Sequence, residues 1–292
     1  MIPEERHRHT PRPVPPGCII TKRQGVDMRA DLEQLARRQL ADYDAARPGT
    51  VFGEGGFALT VAEAYELQFR VAALRQKRGE RVAGYKIGCV SKAVQTQLGL
   101  AEPVFGHLFA NEVHQSGVLL DPARFEGLAI EGEFALRIAE DIPDAAWLLA
   151  GPQRAVAGGF AVMELHNCVF RAPDSLRAPE LIANNAIHAG IVFPLDDALL
   201  DNAAELADER IRVIRNGETL GRATGRALPG GPLASLAWLA DRLQGFGKMI
   251  RRGHVVLTGS PLPLYPVAAG DRLEIRCSRL PPATARVAPA QQ

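Results

Sequence analysis

The chain has 292 residues, 47% of them hydrophobic, enough for one large domain or two ordinary ones built on a substantial core. Its 34 basic and 33 acidic side chains leave a net charge of +1, so no field draws in nucleic acid or an anionic membrane, and neither partner is expected. Four widely spaced cysteines (Cys18, Cys89, Cys168, Cys277) read as free thiols in a reducing compartment; without a membrane-length apolar run or a signal-peptide core, a cytoplasmic protein is expected.

Residues 1–28 are crowded with Arg, His and Pro, as in Arg6-His7-Arg8-His9-Thr10-Pro11-Arg12-Pro13. Nothing there can bury a face, so a disordered or loosely draped tail is expected, with Met28 a candidate natural start where periodic sequence begins. Residues 29–80 read as a helical region. Leu32, Leu35, Ala36, Leu40 and Tyr43 form one helical stripe, stopped by Arg47-Pro48-Gly49. Ala64, Leu67, Val71 and Leu74 form a second, opened by Thr60 as N-cap with Glu63 at the capping-box position. Residues 81–287 mix short strands, turns and few helices, among them a helix at Leu233–Phe246 and strands at Val255–Thr258 and Arg272–Cys277; residues 288–292 are a polar tail. A helical layer followed by a β-rich body predicts an α+β fold.

The segment Ala129–Ile138 alternates with a period of two and predicts a strand with one buried face. Ile130, Gly132, Phe134, Leu136 and Ile138 share one side; Glu131 and Glu133 share the other, with Cα atoms roughly 6–7 Å apart. Carboxylates that close repel, and require a cation, a shared proton or a wet surface. They read equally well as ligands for a hard divalent metal or as acids on a solvated face. Gly132 between them allows a close approach of backbone or ligand. Lys86, inside the short apolar strand Gly84-Tyr85-Lys86-Ile87-Gly88, suits an ammonium beside carboxylates or a snorkelling edge-strand side chain. Glu164 ends the apolar run Gly159–Leu165, an expensive place for an unpaired charge. Arg171 is one candidate partner; a three-carboxylate Mg²⁺ or Mn²⁺ site is another. His166, two residues on, reads as packing. Asn184 and Asn185 suit a turn, and Thr258-Gly259-Ser260 at a strand end suits either a hairpin or an anion held by hydroxyl and N–H donors.

The order of these pieces resembles the fumarylacetoacetate hydrolase superfamily, and within it the hydratase/decarboxylase branch. The resemblance rests on Gly84–Gly88, Pro103-Val104-Phe105-Gly106 with Leu108-Phe109, Ile130-Glu131-Gly132-Glu133, Glu164, the Asn184-Asn185-Ala186…Gly190 segment, Leu228–Pro232 and Leu257-Thr258-Gly259. It implies a mixed β-sheet roll with an N-terminal helical region. It also implies metal ligands at Glu131, Glu133 and Glu164, with Lys86 beside the metal as a catalytic residue. Asn184, Asn185, Thr258, Gly259 and Ser260 become the substrate-binding candidates. The implied reaction is hydration of a 2-hydroxy-2,4-dienoate in aromatic-compound catabolism, with Mg²⁺ or Mn²⁺ as cofactor. Lys86 would shuttle protons if burial and the metal lowered its pKa. The alternatives are decarboxylation of a 2-oxo-3-enedioate, C–C hydrolysis of an acylpyruvate, for which no His–Glu pair is evident, and a non-catalytic partner role. A homo-oligomer is implied, with a related decarboxylase as a possible partner. Two departures stand out: Asn184 where the branch usually carries Asp, and Asn111-Glu112 where it often has Asp-Met.

Overall fold

The computed structural model describes residues 28–54, 57–172, 178–196 and 199–290. The expected tail lies outside these residues except for Met28, which opens the first helix. That helix, α1 (Met28–Asp44), is followed by α2 (Val61–Lys77). The capping box of α2 is reciprocal: Glu63 N–H donates to Thr60 Oγ1 (3.2 Å), and Thr60 N–H donates to Glu63 Oε2 (2.7 Å), pairing two backbone donors that a helix start leaves open.

Then come β1 (Val82–Gly88), α3 (Lys92–Leu98), β2 (Val104–Phe109), β3 (Val113–Gln115), β4 (Val118–Leu120) and β5 (Leu128–Ile138). After α4 (Ala145–Ala150) and α5 (Pro152–Ala155) follow β6 (Val156–Asn167), α6 (Ala178–Ala183), β7 (His188–Phe193), β8 (Arg210–Arg215) and β9 (Glu218–Thr224). The chain ends with α7 (Gly231–Gly245), β10 (Val255–Leu257), β11 (Tyr265–Pro266), β12 (Arg272–Cys277) and β13 (Ala283–Val287).

The strands form two mixed sheets. The larger runs β2-β1-β10-β5-β6-β7-β3, with β11 paired to β5; the smaller runs β4-β13-β12-β8-β9. Together with α1 and α2 this is the expected α+β architecture: mixed sheets carrying an N-terminal helical region. The helices share one apolar core with both sheets. Tyr65 of α2 stacks on Phe105 of β2 (4.8 Å between centroids), and Gln68 Nε2 donates to the carbonyls of Phe105 (3.0 Å) and Ile182 (2.7 Å). In α7 the stripe Leu236, Leu239, Ala240 and Leu243 is fully buried.

Two expectations about β5 change. The strand alternates, yet both of its faces are interior: Ile130, Phe134 and Leu136 are 0% exposed on one side, Glu133 and Ala135 0% on the other. Neither face is solvated because β5 lies in the middle of the larger sheet while the smaller sheet covers its Gly132 side. A Cβ on Gly132 would meet Val213, Ile275 and Ile211 at 3.1–3.3 Å, so the approach that this glycine permits is that of the second sheet's side chains. Likewise, β6 continues past Glu164 to Asn167, which places Glu164 inside a central strand.

Candidate metal centre

Pairing in the larger sheet brings distant acids together. Glu131 of β5 stands directly opposite Glu164 of β6, and His166 of β6 opposite His188 of β7. Lys86 of β1 reaches the same face through the ladder Lys86–Leu257–Ala135. Side chains alternate across a strand, so Glu131, Glu133, Glu164, His166 and Lys86 converge on one side. All but Glu131 are almost completely buried: Lys86 is 3% exposed, Glu133 and Glu164 0%, His166 and His188 1%. The Glu131 side chain keeps 18% exposure.

Glu164 uses its two oxygens differently. Oε1 forms an ion pair with Lys86 Nζ (3.1 Å) and accepts from His188 Nδ1–H (2.6 Å). Oε2 lies 3.6 Å from His166 Nε2 and has no hydrogen-bond partner among the described residues. Glu133 repeats the pattern: Oε2 accepts the Gly259 N–H (3.0 Å), and Oε1 is unpaired. His166 Nε2 is 3.3 Å from Glu131 Oε2, and neither of its ring nitrogens makes a hydrogen bond. Buried polar atoms are ordinarily paired. Here one oxygen of each buried glutamate is anchored while the other is left open, that of Glu164 beside a His166 ring without a hydrogen bond. Ligand atoms of Glu131, Glu164 and His166 lie within 4.8 Å of one another, a donor set that fits a divalent cation.

The electrostatics agree. Burial first, then the charges of Glu164 and Glu131, push the Glu133 carboxyl well above its ordinary pKa. Burial also opposes the charge of Glu164, but His166, Lys86 and His188 hold it well below the ordinary value. Burial disfavours the Lys86 ammonium; Glu164, Glu131 and Glu133 outweigh it and raise its pKa. The lowered pKa expected for a proton-shuttling lysine is thus absent from the protein's own side chains, and Lys86 stands as a charged partner of Glu164. Arg171, the other candidate partner for Glu164, instead pairs with Glu126 and gives its backbone N–H to Glu180 (2.5 Å).

The remaining candidates take other places. Asn184 Oδ1 accepts from Gln39. Asn185 clamps β2 in both directions, Nδ2 donating to the His107 carbonyl (2.8 Å) and Oδ1 accepting the His107 N–H (2.6 Å). Thr258 Oγ1 donates to the Phe134 carbonyl (2.9 Å), and Ser260 Oγ to that of Leu262 (2.8 Å). Of the five residues expected to bind substrate, Gly259 reaches the cluster, through its N–H on Glu133. Glu112, one of the departures from the branch pattern, pairs with Arg75 (2.6 Å). Asn185, Ala186 and Ile187 all have left-handed backbones (φ 55°, 51° and 56°), a strained run that the Asn185 clamp holds and that delivers His188 to Glu164.

Sequence reading missed His166 and His188 as members of the cluster. The signal for His166 was present: Glu164 and His166 are two apart on a strand, the same spacing that put Glu131 and Glu133 on one face. Nothing local marks His188, which arrives through the left-handed run. A cavity of about 660 Å³ touches the cluster at His188 and is otherwise lined by residues such as Tyr43, Arg75, Arg78, His114 and Arg124; Glu131, Glu133 and Glu164 do not line it.

The sequence pattern of the fumarylacetoacetate (FAA) hydrolase C-terminal family matches residues 92–288. A 2-hydroxyhexa-2,4-dienoate hydratase from Comamonas testosteroni is 34% identical over 226 residues, 74% of this chain and 82% of that protein. A 2-keto-4-pentenoate hydratase from Burkholderia vietnamiensis is 36% identical over 206 residues, 70% of this chain and 78% of that protein. The solved structure of 4-oxalocrotonate decarboxylase from Pseudomonas putida G7, complexed with calcium and acetate, superposes with a TM-score of 0.80 at 25% identity, covering 89% of this chain and 98% of that one.

Proposed function

Because the chain belongs to the fumarylacetoacetate hydrolase family, we propose that it is a metal-dependent hydro-lyase that adds water to a 2-hydroxy-2,4-dienoate, or its 2-oxo-3-enoate tautomer, giving a 4-hydroxy-2-oxo acid in the breakdown of aromatic compounds. The observation that carries the metal-dependent part is the unpaired interior Oε2 of Glu164, grouped with Glu131 and His166, while Glu133 on the same face of the sheet leaves a second interior oxygen unpaired. The hydration part is supported by relatives at 34% and 36% identity that are named hydratases.

Glu131, Glu133 and Glu164 would hold Mg²⁺ or Mn²⁺, which when bound supplies a Lewis acid for the substrate's carboxylate and 2-oxo group and a counter-charge for the oxygen on C2. Lys86 offsets one of the three carboxylate charges, so that an anionic substrate meets less repulsion. It also fixes the orientation of Glu164 by occupying Oε1. Gly259 does the same for Glu133 through its N–H. In the reaction the enol O–H proton is lost and C5 gains one, leaving C4 electrophilic by conjugation with the C2 carbonyl. Water then adds its oxygen to C4 and a proton to C3. Lys86, held charged by the three glutamates, acts here through its charge and not as a proton shuttle; full turnover with only a weaker KM in Lys86→Ala is the expected result, and a collapse of kcat would restore the shuttle role.

Decarboxylation of a 2-oxo-3-enedioate is the second reading, favoured by the superposition on the decarboxylase over 98% of its length. Product analysis separates the two. Incubation with Mg²⁺ or Mn²⁺ and 2-hydroxypenta-2,4-dienoate, followed by NMR, should give the 4-hydroxy-2-oxo acid without CO₂. CO₂ release from an enedioate with no hydration of the dienoate would select the decarboxylase. A homo-oligomer in the cytoplasm, with a related decarboxylase as partner, completes the proposal. Among the described residues no helix is long and apolar enough to cross a membrane.

A further inference from the structure

This inference rests on the reading above, that the centre holds a cation, and concerns which side chains hold it and which cation they favour. We propose that His166 is itself a metal ligand, so that the centre is a mixed imidazole–carboxylate site favouring transition cations such as Mn²⁺ and Co²⁺ over Mg²⁺. His166 is 1% exposed and neither ring nitrogen has a hydrogen-bond partner among the described residues. A packing histidine in the interior normally bonds through at least one nitrogen. An imidazolium bridging two carboxylates would donate to both of them. Here Nε2 sits 3.3 Å from Glu131 Oε2 and 3.6 Å from Glu164 Oε2 without the geometry of a hydrogen bond to either. One ligand atom from each of Glu131, Glu164 and His166 lies within 4.8 Å of the other two, close enough for all three to share one cation.

His188, the cross-strand partner of His166, cannot take this part through Nδ1, which is committed to Glu164 Oε1. Its effect is to turn Glu164 so that Oε2 faces Glu131 and His166. The chemistry of the set then decides the ion. Carboxylates alone suit hard, strongly hydrated Mg²⁺, whereas an imidazole ligand adds affinity for the later first-row metals and little for Mg²⁺.

The test uses chelator-stripped full-length protein, loaded with Mn²⁺ for pulsed EPR and titrated calorimetrically with Mg²⁺, Mn²⁺ and Co²⁺. The parent should show nitrogen hyperfine coupling to Mn²⁺, which is lost in His166→Val and His166→Gln. The preference for Co²⁺ over Mg²⁺ should fall by about tenfold or more from the parent to either variant. The EPR measurement on the parent needs no variant to fold. Cation binding without nitrogen coupling, or a preference unchanged in both variants, overturns the ligand role of His166 and leaves the proposed function standing. No binding of any of the three cations by the parent overturns both.

Discussion

Replacing Lys86 by Met tests the electrostatics of the centre. The lysine is 3% exposed and its Nζ lies 3.1 Å from Glu164 Oε1, with Glu131 and Glu133 also acting on its charge. Methionine keeps most of the stem's volume and removes the ammonium. Removing one partner of a buried ion pair costs about 3–5 kcal/mol, because the other charge stays in the interior uncompensated. Glu164 can take up a proton once its partner is gone, so the lower end, about 3 kcal/mol, is the expected loss in metal-free protein. For a domain of this size that lowers Tm by roughly 6–12 °C. A divalent cation replaces the missing positive charge. Differential scanning calorimetry in EDTA and then in excess Mn²⁺ should therefore show a larger Mn²⁺-induced rise in Tm for Lys86→Met than for the parent. Equal Tm values in EDTA would refute the claim that Lys86 compensates this cluster. An equal Mn²⁺ effect on both proteins would refute the claim that cation and lysine act on the same carboxylates.

Three other outcomes follow from the same geometry. His188→Leu frees Glu164 Oε1 from its 2.6 Å partner and should weaken Mn²⁺ binding about 10–100-fold by calorimetry, with His188→Gln weakening it less. Asn185→Ala removes both bonds to the His107 main chain and should cost about 2–4 kcal/mol in urea unfolding, since a buried N–H and C=O lose their partners. His107, its pKa lowered to about 3 by burial and then by the charges of Arg75 and Lys248, stays neutral in the folded protein over a range where the unfolded chain takes up a proton. Its contribution is present above the unfolded value of about 6.5 and lost as pH falls toward about 3, at about 1.4 kcal/mol per pH unit. Unfolding free energies from urea titrations at pH 7.5 and 5.5 should thus differ by about 1.4 kcal/mol more in the parent than in His107→Phe.

Local rules carried the helical region well: the Thr60–Glu63 box and the Leu236–Leu243 stripe need only neighbours a few residues away. Period two also placed Glu131 and Glu133 on one side of β5. It could not tell a solvated face from an interior one, because that depends on β6, β10 and the second sheet, all distant in sequence. The same limit explains Glu164. Arg171 is close along the chain, whereas the groups that compensate Glu164, Lys86 and His188, come from β1 and β7. Asn184 and Asn185 drew attention as polar residues at a turn, but their side chains fasten that turn to α1 and β2. A left-handed conformation at Ile187 is invisible to propensity, since β-branched residues rarely adopt it. His166 differs from these cases: its alternation with Glu164 was legible, and its resemblance to an ordinary packing residue hid it.

The central claim is that the carboxylates of β5 and β6 bind one divalent cation without which water is not added to the dienoate. Chelator-stripped protein titrated with Mn²⁺, while the dienol absorbance is followed, tests it directly. Hydration should be absent at the start and reach its plateau at one Mn²⁺ per chain. Stripped protein that turns the dienoate over undiminished would contradict the account.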